Sequence, residues 1–356
     1  MNVGQNIRCL ILSAVFLLVS PAEYADALIR LARTKDVAID AEWRISARYT
    51  HEFEITSPED GPELRQILRE FKEADHVSEM LSEICFPDGR AIPWGPLNND
   101  APPVGAEIRI TAMVDGHFAG FAELFADSLH IDEDLPVGTA AYCVNFPQPT
   151  TFACRIDCGG ECIQKTAVSD HFDWRGHDVT RLALFISTAT SWDQIAQRYQ
   201  THFQNRMGKG LPAQDIPDSL RDIGKAGATD QKIQAVMDFL DGRIMYRTDR
   251  GAEHALLPDA PATVLHRGWG DCKDLALLGA ALLARMAVPS VIVLSGAPRG
   301  CLSDDCLPDP FIFDHALIGI TGNSPPAYYD CLAPAGAVAL SDRRIYLRLK
   351  VFPDAD

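Results

Sequence analysis

The sequence predicts an α+β protein in two parts: a β-rich first half, then a second half built on a central cysteine-bearing helix and an antiparallel sheet. Three observations carry this expectation. Apolar and polar residues alternate strictly between Trp43 and Ile55, the period switches to a helical one at Ser191, and an almost wholly apolar helix opens on Gly268-Trp269-Gly270-Asp271-Cys272. The 356 residues leave room for about two domains, and 47% hydrophobic with 23% charged residues is an ordinary globular composition. A formal charge of −17 repels phosphate backbones, which argues against nucleic acid as a partner.

The first residues read as a leader. Arg8 is followed by the apolar run Cys9 to Val19, too short to span a bilayer, and then by the small-x-small pattern Ala25-Asp26-Ala27. A cleaved signal peptide over 1–27 is expected, with a retained N-terminal anchor as the alternative. Cys9 lies inside the run, which does not suit lipid attachment. No other run is long enough to insert stably in a membrane, so the mature chain is expected to be periplasmic or secreted. Export leaves nine cysteines, and an odd count in an oxidising compartment leaves one thiol over.

Residues 28–190 are expected to form the β-rich domain. Odd positions from Trp43 to Ile55 are mostly apolar and even positions from Glu42 to Glu54 polar, the signature of a half-buried strand. Ile108, Ile110, Ala112 and Val114 alternate again and run into Asp115-Gly116, a hairpin-turn signal before Phe118 to Phe125. Gln66 to Leu81 reads as helical, and Leu182 to Ser187 as the closing strand. From 191 to 356 the pattern changes. Ser191 with Gln194 suits a helix start, and Trp192, Ile195, Ala196, Tyr199 and Phe203 share one face. A Gly- and Pro-containing loop, Gly208 to Pro217, precedes a second helix capped by Thr229, with Ile233, Val236, Met237 and Leu240 as its stripe.

The central helix should run from about Cys272 to Ala287, ahead of Pro289, with apolar residues on nearly every face. Cys272 then stands in its first turn, where unpaired N–H groups and the positive end of the dipole favour a thiolate and can hold an oxyanion. A buried structural cysteine or a disulfide half is the alternative. A thiol nucleophile needs a base, and the base an orienting acceptor. After the strand Ser290 to Leu294, Phe311 to Ile320 reads as a buried strand carrying His315, and Tyr328-Tyr329-Asp330 ends the next antiparallel strand. Adjacent strands can set His315 beside Asp330, so Cys272, His315 and Asp330 are the candidate triad.

These residues resemble the transglutaminase-like superfamily, whose bacterial members carry a Gly-Asp-Cys-Lys-Asp motif, here Gly270-Asp271-Cys272-Lys273-Asp274. The family's strand His and the Asp closing the next strand match Phe313-Asp314-His315 and Tyr329-Asp330, although Asp330-Cys331-Leu332 replaces the usual Asp-Pro continuation. The resemblance spans roughly 190 to 345. The Phe86-Pro87-Asp88-Gly89 turn suggests, more loosely, the β-rich domain that often precedes this core. It implies a papain-like core and acyl transfer through a thioester, from a peptide or carboxamide bond to water or an amine. Family enzymes add a side-chain donor to the oxyanion site; Tyr246 and Trp269 are the candidates here, with plain core roles as the alternative for each.

No cofactor and no metal are expected: the chain has neither a phosphate-binding Gly loop nor a His-Glu-x-x-His helix, and Cys154-x3-Cys158-x3-Cys162 suits disulfides better than zinc. With Cys272 free, the other eight mature cysteines would make four bridges. Cys301–Cys306 is the first choice, a bridge from Cys331 would brace Asp330, and Cys143, Cys154, Cys158 and Cys162 would pair within the first domain with Cys85 available. The expectation is an exported thiol acyl-transfer enzyme acting on peptide or protein substrates, with hydrolysis favoured over amine transfer. The alternative is a non-catalytic binding or assembly protein that reuses the fold.

Overall fold

The structure, a computed structural model, describes residues 29–57, 60–73, 77–94, 102–117, 121, 123–158, 161–247, 256–297, 306–321, 325–333, 336–341 and 344–352. The leader assignment lies outside them. The chain divides into two compact units, with the boundary between Thr190 and Ser191.

In the first unit a seven-stranded sheet is built from β1 (Ile29–Ile39), β2 (Arg44–Glu54), β3 (Val77–Cys85), β4 (Ala91–Pro93), β5 (Glu107–His117), β6 (Ala126–Cys158) and β7 (Glu161–Ser187), in the order β4-β3-β5-β2-β1-β6-β7. Neighbours are antiparallel except β1 and β6. The alternation in β2 is real: Ile45, Ala47, Tyr49, His51 and Phe53 are buried. The turn expected at Asp115-Gly116 is not there. β5 continues through both residues because β2 is long enough to pair with them, Ser46 with Asp115 and Ile45 with Gly116, and ladder bonds outweigh a local turn preference. Helix α1 is Asp60–Glu73, so the expected helix over Gln66 to Leu81 begins earlier and ends sooner; from Val77 the chain pairs with β5 instead. The Phe86 to Gly89 turn joins β3 to β4, closed by the Gly89 N–H on the Phe86 carbonyl at 2.9 Å.

A buried polar pair sits inside this unit. Lys35 and Asp127 have no exposed side-chain surface and lie 2.5 Å apart. Lys35 also donates to the Ser128 carbonyl at 3.0 Å, and the Tyr142 hydroxyl donates to the other Asp127 oxygen at 2.8 Å. The Lys35 ammonium stands 5.0 Å from the Tyr49 ring centre and 5.6 Å from that of Tyr142.

The second unit carries helices α2 (Trp192–Met207), α3 (Asp218–Ala226), α4 (Thr229–Arg243), α5 (Pro261–Arg267) and α6 (Cys272–Arg285). The Ser191 hydroxyl caps α2, accepting from Gln194 N–H at 3.1 Å. Thr229 is the first residue of α4 rather than its cap. Ala228 precedes the helix, and the Gln231 side chain accepts its N–H at 3.0 Å. β8 (Met245–Tyr246) and β9 (Trp269–Gly270) form a short parallel ladder. The main sheet has the order β13-β12-β11-β10-β14, made of β10 (Ser290–Gly296), β11 (Phe313–Ile320), β12 (Ala327–Tyr329), β13 (Ala337–Val338) and β14 (Ile345–Leu349), with every pair antiparallel. Helix α6 lies against β10 and β11 on one side and α4 and α5 on the other. Residues 273–283 of α6 are buried without a break, the central helix that its all-round apolar pattern requires.

The cysteines depart from expectation. Cys85, Cys143, Cys154, Cys158, Cys162, Cys272 and Cys331 are free thiols. Register explains part of this. In the β6–β7 hairpin Cys158 faces Glu161 and Asp157 faces Cys162, so Cys158 and Cys162 project to opposite sides of the ribbon and cannot bridge. Cys306 is disulfide-bonded, and Cys301 lies outside the described residues.

Candidate active site

Cys272 is the first residue of α6, and its position is set by a reciprocal cap. The Asp271 carboxylate accepts from the N–H groups of Lys273 and Asp274, each at 3.2 Å, and the Asp274 carboxylate accepts the Asp271 N–H at 3.1 Å. Asp274 is fully buried and holds more than the cap. It accepts from the Asp259 N–H at 2.7 Å and pairs with Arg267 at 2.9 Å. Arg267 also pairs with the Asp259 carboxylate, donates to the Trp269 carbonyl at 2.7 Å and stacks 4.0 Å from the Trp269 ring centre. Lys273 turns inward to pair with Asp271. The charges flanking Cys272 in sequence are therefore internal anchors, not a charged rim. Two of the first-turn N–H groups are spent on Asp271, so the oxyanion capacity expected of the whole turn narrows to the Cys272 amide.

The glycines before the cysteine have separate roles. Gly268 has φ +74° and ends α5 in the left-handed region. Gly270 is needed for space: a Cβ there would lie 2.7 Å from the Asp274 Cβ and 2.9 Å from one of its carboxylate oxygens. Gly270→Ala should push Asp274 out of its hydrogen bonds and shift Cys272. A fall in kcat/KM of roughly 10–100-fold is the expected result, since about 1 Å of misplacement is enough for that; steady-state kinetics on the folded variant checks it.

His315 lies on β11 opposite Ser295 of β10. Its Nε2 is 2.9 Å from Asp330 Oδ2. Asp330 stands one residue beyond β12, where the chain turns: its Oδ1 accepts the Leu332 N–H at 2.9 Å and its carbonyl accepts the Ala333 N–H at 3.0 Å. This Asx-type turn aims the other carboxylate oxygen back at the imidazole. His315 Nδ1 is buried with no partner at ordinary hydrogen-bond geometry, and it is the nitrogen left for the Cys272 thiol. Burial would lower the imidazole pKa, but the hydrogen bonds and charges of Asp330 and Cys272 outweigh it and raise the value to about 10. Burial likewise would raise the Asp330 carboxyl, and the His315 hydrogen bond and charge bring it below its ordinary value. Neighbouring Cys331 is buried, and desolvation pushes its thiol far upward, with the Asp330 and Cys272 charges acting in the same direction.

The structure thus brings Cys272, His315 and Asp330 together. The two other candidates stand nearby on the β8–β9 ladder. Tyr246 pairs with Gly270, two residues before the cysteine, while the Trp269 ring is flanked by Arg267 and, at 5.4 Å, Arg247. Trp269 reads as a stacking platform. The Arg267–Asp259–Asp274 anchor went unread in the sequence; its only signal was the second Asp of the Gly-Asp-Cys-Lys-Asp run.

A cysteine at the start of a buried helix, laid on an antiparallel sheet that presents a His–Asp pair, defines the transglutaminase-like, papain-type α+β fold. Among solved structures the chain is similar to a candidate protease from Parabacteroides distasonis, at 12% identity and TM-score 0.62 over 93% of this chain and 73% of that one. Matches to Legionella pneumophila LapG (20% identity, TM-score 0.26, 41% of this chain and 75% of that one) and to a candidate cysteine protease from Cytophaga hutchinsonii (11%, 0.26, 65% and 94%) are too distant in shape to add to this. No protein-family model and no curated protein sequence matches the chain.

Proposed function

We propose that this protein is an exported thiol acyl-transfer enzyme that cleaves peptide or carboxamide bonds, with Cys272 as nucleophile, His315 as acid and base, and Asp330 as its orienter. The observation that carries the reading is His315 itself, held by Asp330 through one nitrogen while the other is left for Cys272. In the acylation step the Cys272 thiolate attacks the carbonyl carbon, and the oxygen takes up negative charge against the Cys272 amide. The Tyr246 hydroxyl is the candidate second donor. The C–N bond then breaks as the His315 imidazolium gives its proton to the departing amine, leaving a thioester. In deacylation neutral His315 takes a proton from water, hydroxide adds to the thioester, and the acid product leaves as the thiolate and imidazolium are restored. The likeness to a candidate protease supports a peptide substrate at the level of fold. Export rests on the leader-like sequence. Among the described residues no helix is long and apolar enough to cross a membrane.

Competitive alkylation tests the reading. Cys158 and Cys162 are exposed free thiols and serve as internal references. Half-buried Cys272 should react with a small haloacetamide ahead of both near neutral pH, and lose that lead in His315→Ala. Cys272 reacting no faster than the two exposed thiols would favour a non-catalytic scaffold. A peptide library should then show new amines released by the native protein and none from the alkylated one.

A further inference from the structure

We propose that the first unit carries a divalent transition-metal site of the zinc type, formed by Cys143, His171 and Asp173. The three side chains come from neighbouring strands in register: Cys143 of β6 is directly opposite Asp173 of β7, and Asn145 of β6 is directly opposite His171. All four therefore stand on one face of the sheet. One ligand atom from each of Cys143, His171 and Asp173 falls within 4.8 Å of the others, and Cys143 Sγ is 3.9 Å from His171 Nδ1. Zinc–sulfur and zinc–nitrogen bonds of about 2.3 and 2.0–2.1 Å put tetrahedral ligands about 3.5 Å apart, so small rotations about the side-chain bonds close the site.

The surroundings suit a cation. The Asn145 side chain already bridges the first two ligands: its N–H donates to Cys143 Sγ at 3.6 Å, and its Oδ1, an acceptor, lies 3.0 Å from His171 Nδ1. A metal on Nδ1 would displace the contact to His171 and leave the bond to Cys143 Sγ, through which Asn145 orients the sulfur. Asp36 of β1 is opposite Cys143 on its other side, giving a row Asp36–Cys143–Asp173 across three strands. Burial, then the Asp36 and Asp173 charges, raise the Cys143 thiol, with Asn145 and Arg175 acting the other way. Without metal the sulfur keeps its proton; a dipositive ion replaces it, releasing one proton per ion bound and forming one metal–sulfur bond. The Arg175–Asp173 contact, at 3.4 Å between well-exposed groups, is a weak competitor. A thiolate, an imidazole and a carboxylate select zinc or cobalt over calcium or magnesium, and three protein ligands leave a position for water. A second catalytic triad is a poor account of the same residues. Cys143 lies in mid-strand, far from any helix start, and its thiol is pushed upward by burial and acid neighbours.

The test uses the full chain, stripped with chelator and titrated with Co2+. One ion per chain should bind with a thiolate-to-cobalt charge-transfer band. Cys143→Ser should remove the band and Cys272→Ala should keep it. His171→Ala, at an exposed position, should weaken binding, and Asn145→Ala should cost about 10–100-fold through loss of the bond that orients the Cys143 sulfur. Zn2+ should displace Co2+ and bleach the band. Absence of a band in the native protein, or a band that survives Cys143→Ser, would overturn the site whatever the fate of the proposed enzyme activity.

Discussion

Cys272→Ala should reduce turnover on the order of 10^4-fold or more, and His315→Ala should cost a similar factor, because nucleophile and base act as one unit. Asp330→Asn keeps the shape and loses charge and orientation, so its penalty is smaller. Cys272→Ala should not move the midpoint of denaturation far, since it removes one thiol at a helix start, whereas His315→Ala and Asp330→Asn should lower it at neutral pH by breaking the His315–Asp330 pair. Acylation also needs a protonated imidazole, and His315 is held protonated up to about 10. With a confirmed substrate, kcat/KM should therefore fall as pH rises through that value, and Asp330→Asn should bring the fall to lower pH. The same raised pKa contributes stability that is fully present below the ordinary histidine range and fades as pH climbs to about 10. Asp330, lowered in the fold, contributes above the ordinary carboxylate range and loses that contribution in acid. Wild-type turnover in Cys272→Ala would end the assignment.

The largest loss of stability should come from the other unit. Lys35→Ala leaves the Asp127 carboxylate buried without its counter-charge, the Tyr142 hydroxyl remaining as a donor. Breaking a buried pair from one side typically costs about 3–5 kcal/mol. Asp127→Ala should be comparably severe, because it strands the ammonium between two tyrosine rings. Replacing both, as Lys35→Met with Asp127→Leu, should recover most of the loss by removing the uncompensated charge. Urea unfolding with a fixed m-value measures all three. A single variant within about 0.5 kcal/mol of wild type would show that water reaches the pair.

Much of the architecture around the site is written locally. The strand alternation of β2, the capped start of α2 and the apolar run of α6 each follow from the period of their own residues, and each stands where the period puts it. What failed depended on partners distant in sequence. Asp115-Gly116 is a good turn on its own and becomes strand only because Ser46 and Ile45 lie alongside. Val77 to Leu81 fits a helix until β5 offers an edge. For the candidate site, the placement of Cys272 was legible from its helix and that of His315 and Asp330 from adjacent strands. Asp274 was not legible as an anchor, because its partners Asp259 and Arg267 are ordinary residues in sequence. The pairing expected among the first-unit cysteines failed for a related reason, while Cys306 is bridged: counting thiols says how many could pair, and register decides which sides of a ribbon they occupy.

Of the five residues from Gly270 to Asp274, four serve shape: one by lacking a side chain, three by anchoring the helix start. Of these, only the thiol takes part in the reaction in the proposed mechanism. A single base change in a cysteine codon gives serine, so one mutation would silence the proposed chemistry while the anchors of the helix start stayed whole. Descendants of one ancestor could thus differ in reactivity while no comparison of backbones would separate them. Sorting them requires the identity of the residue at this one position, followed by a test of whether it reacts.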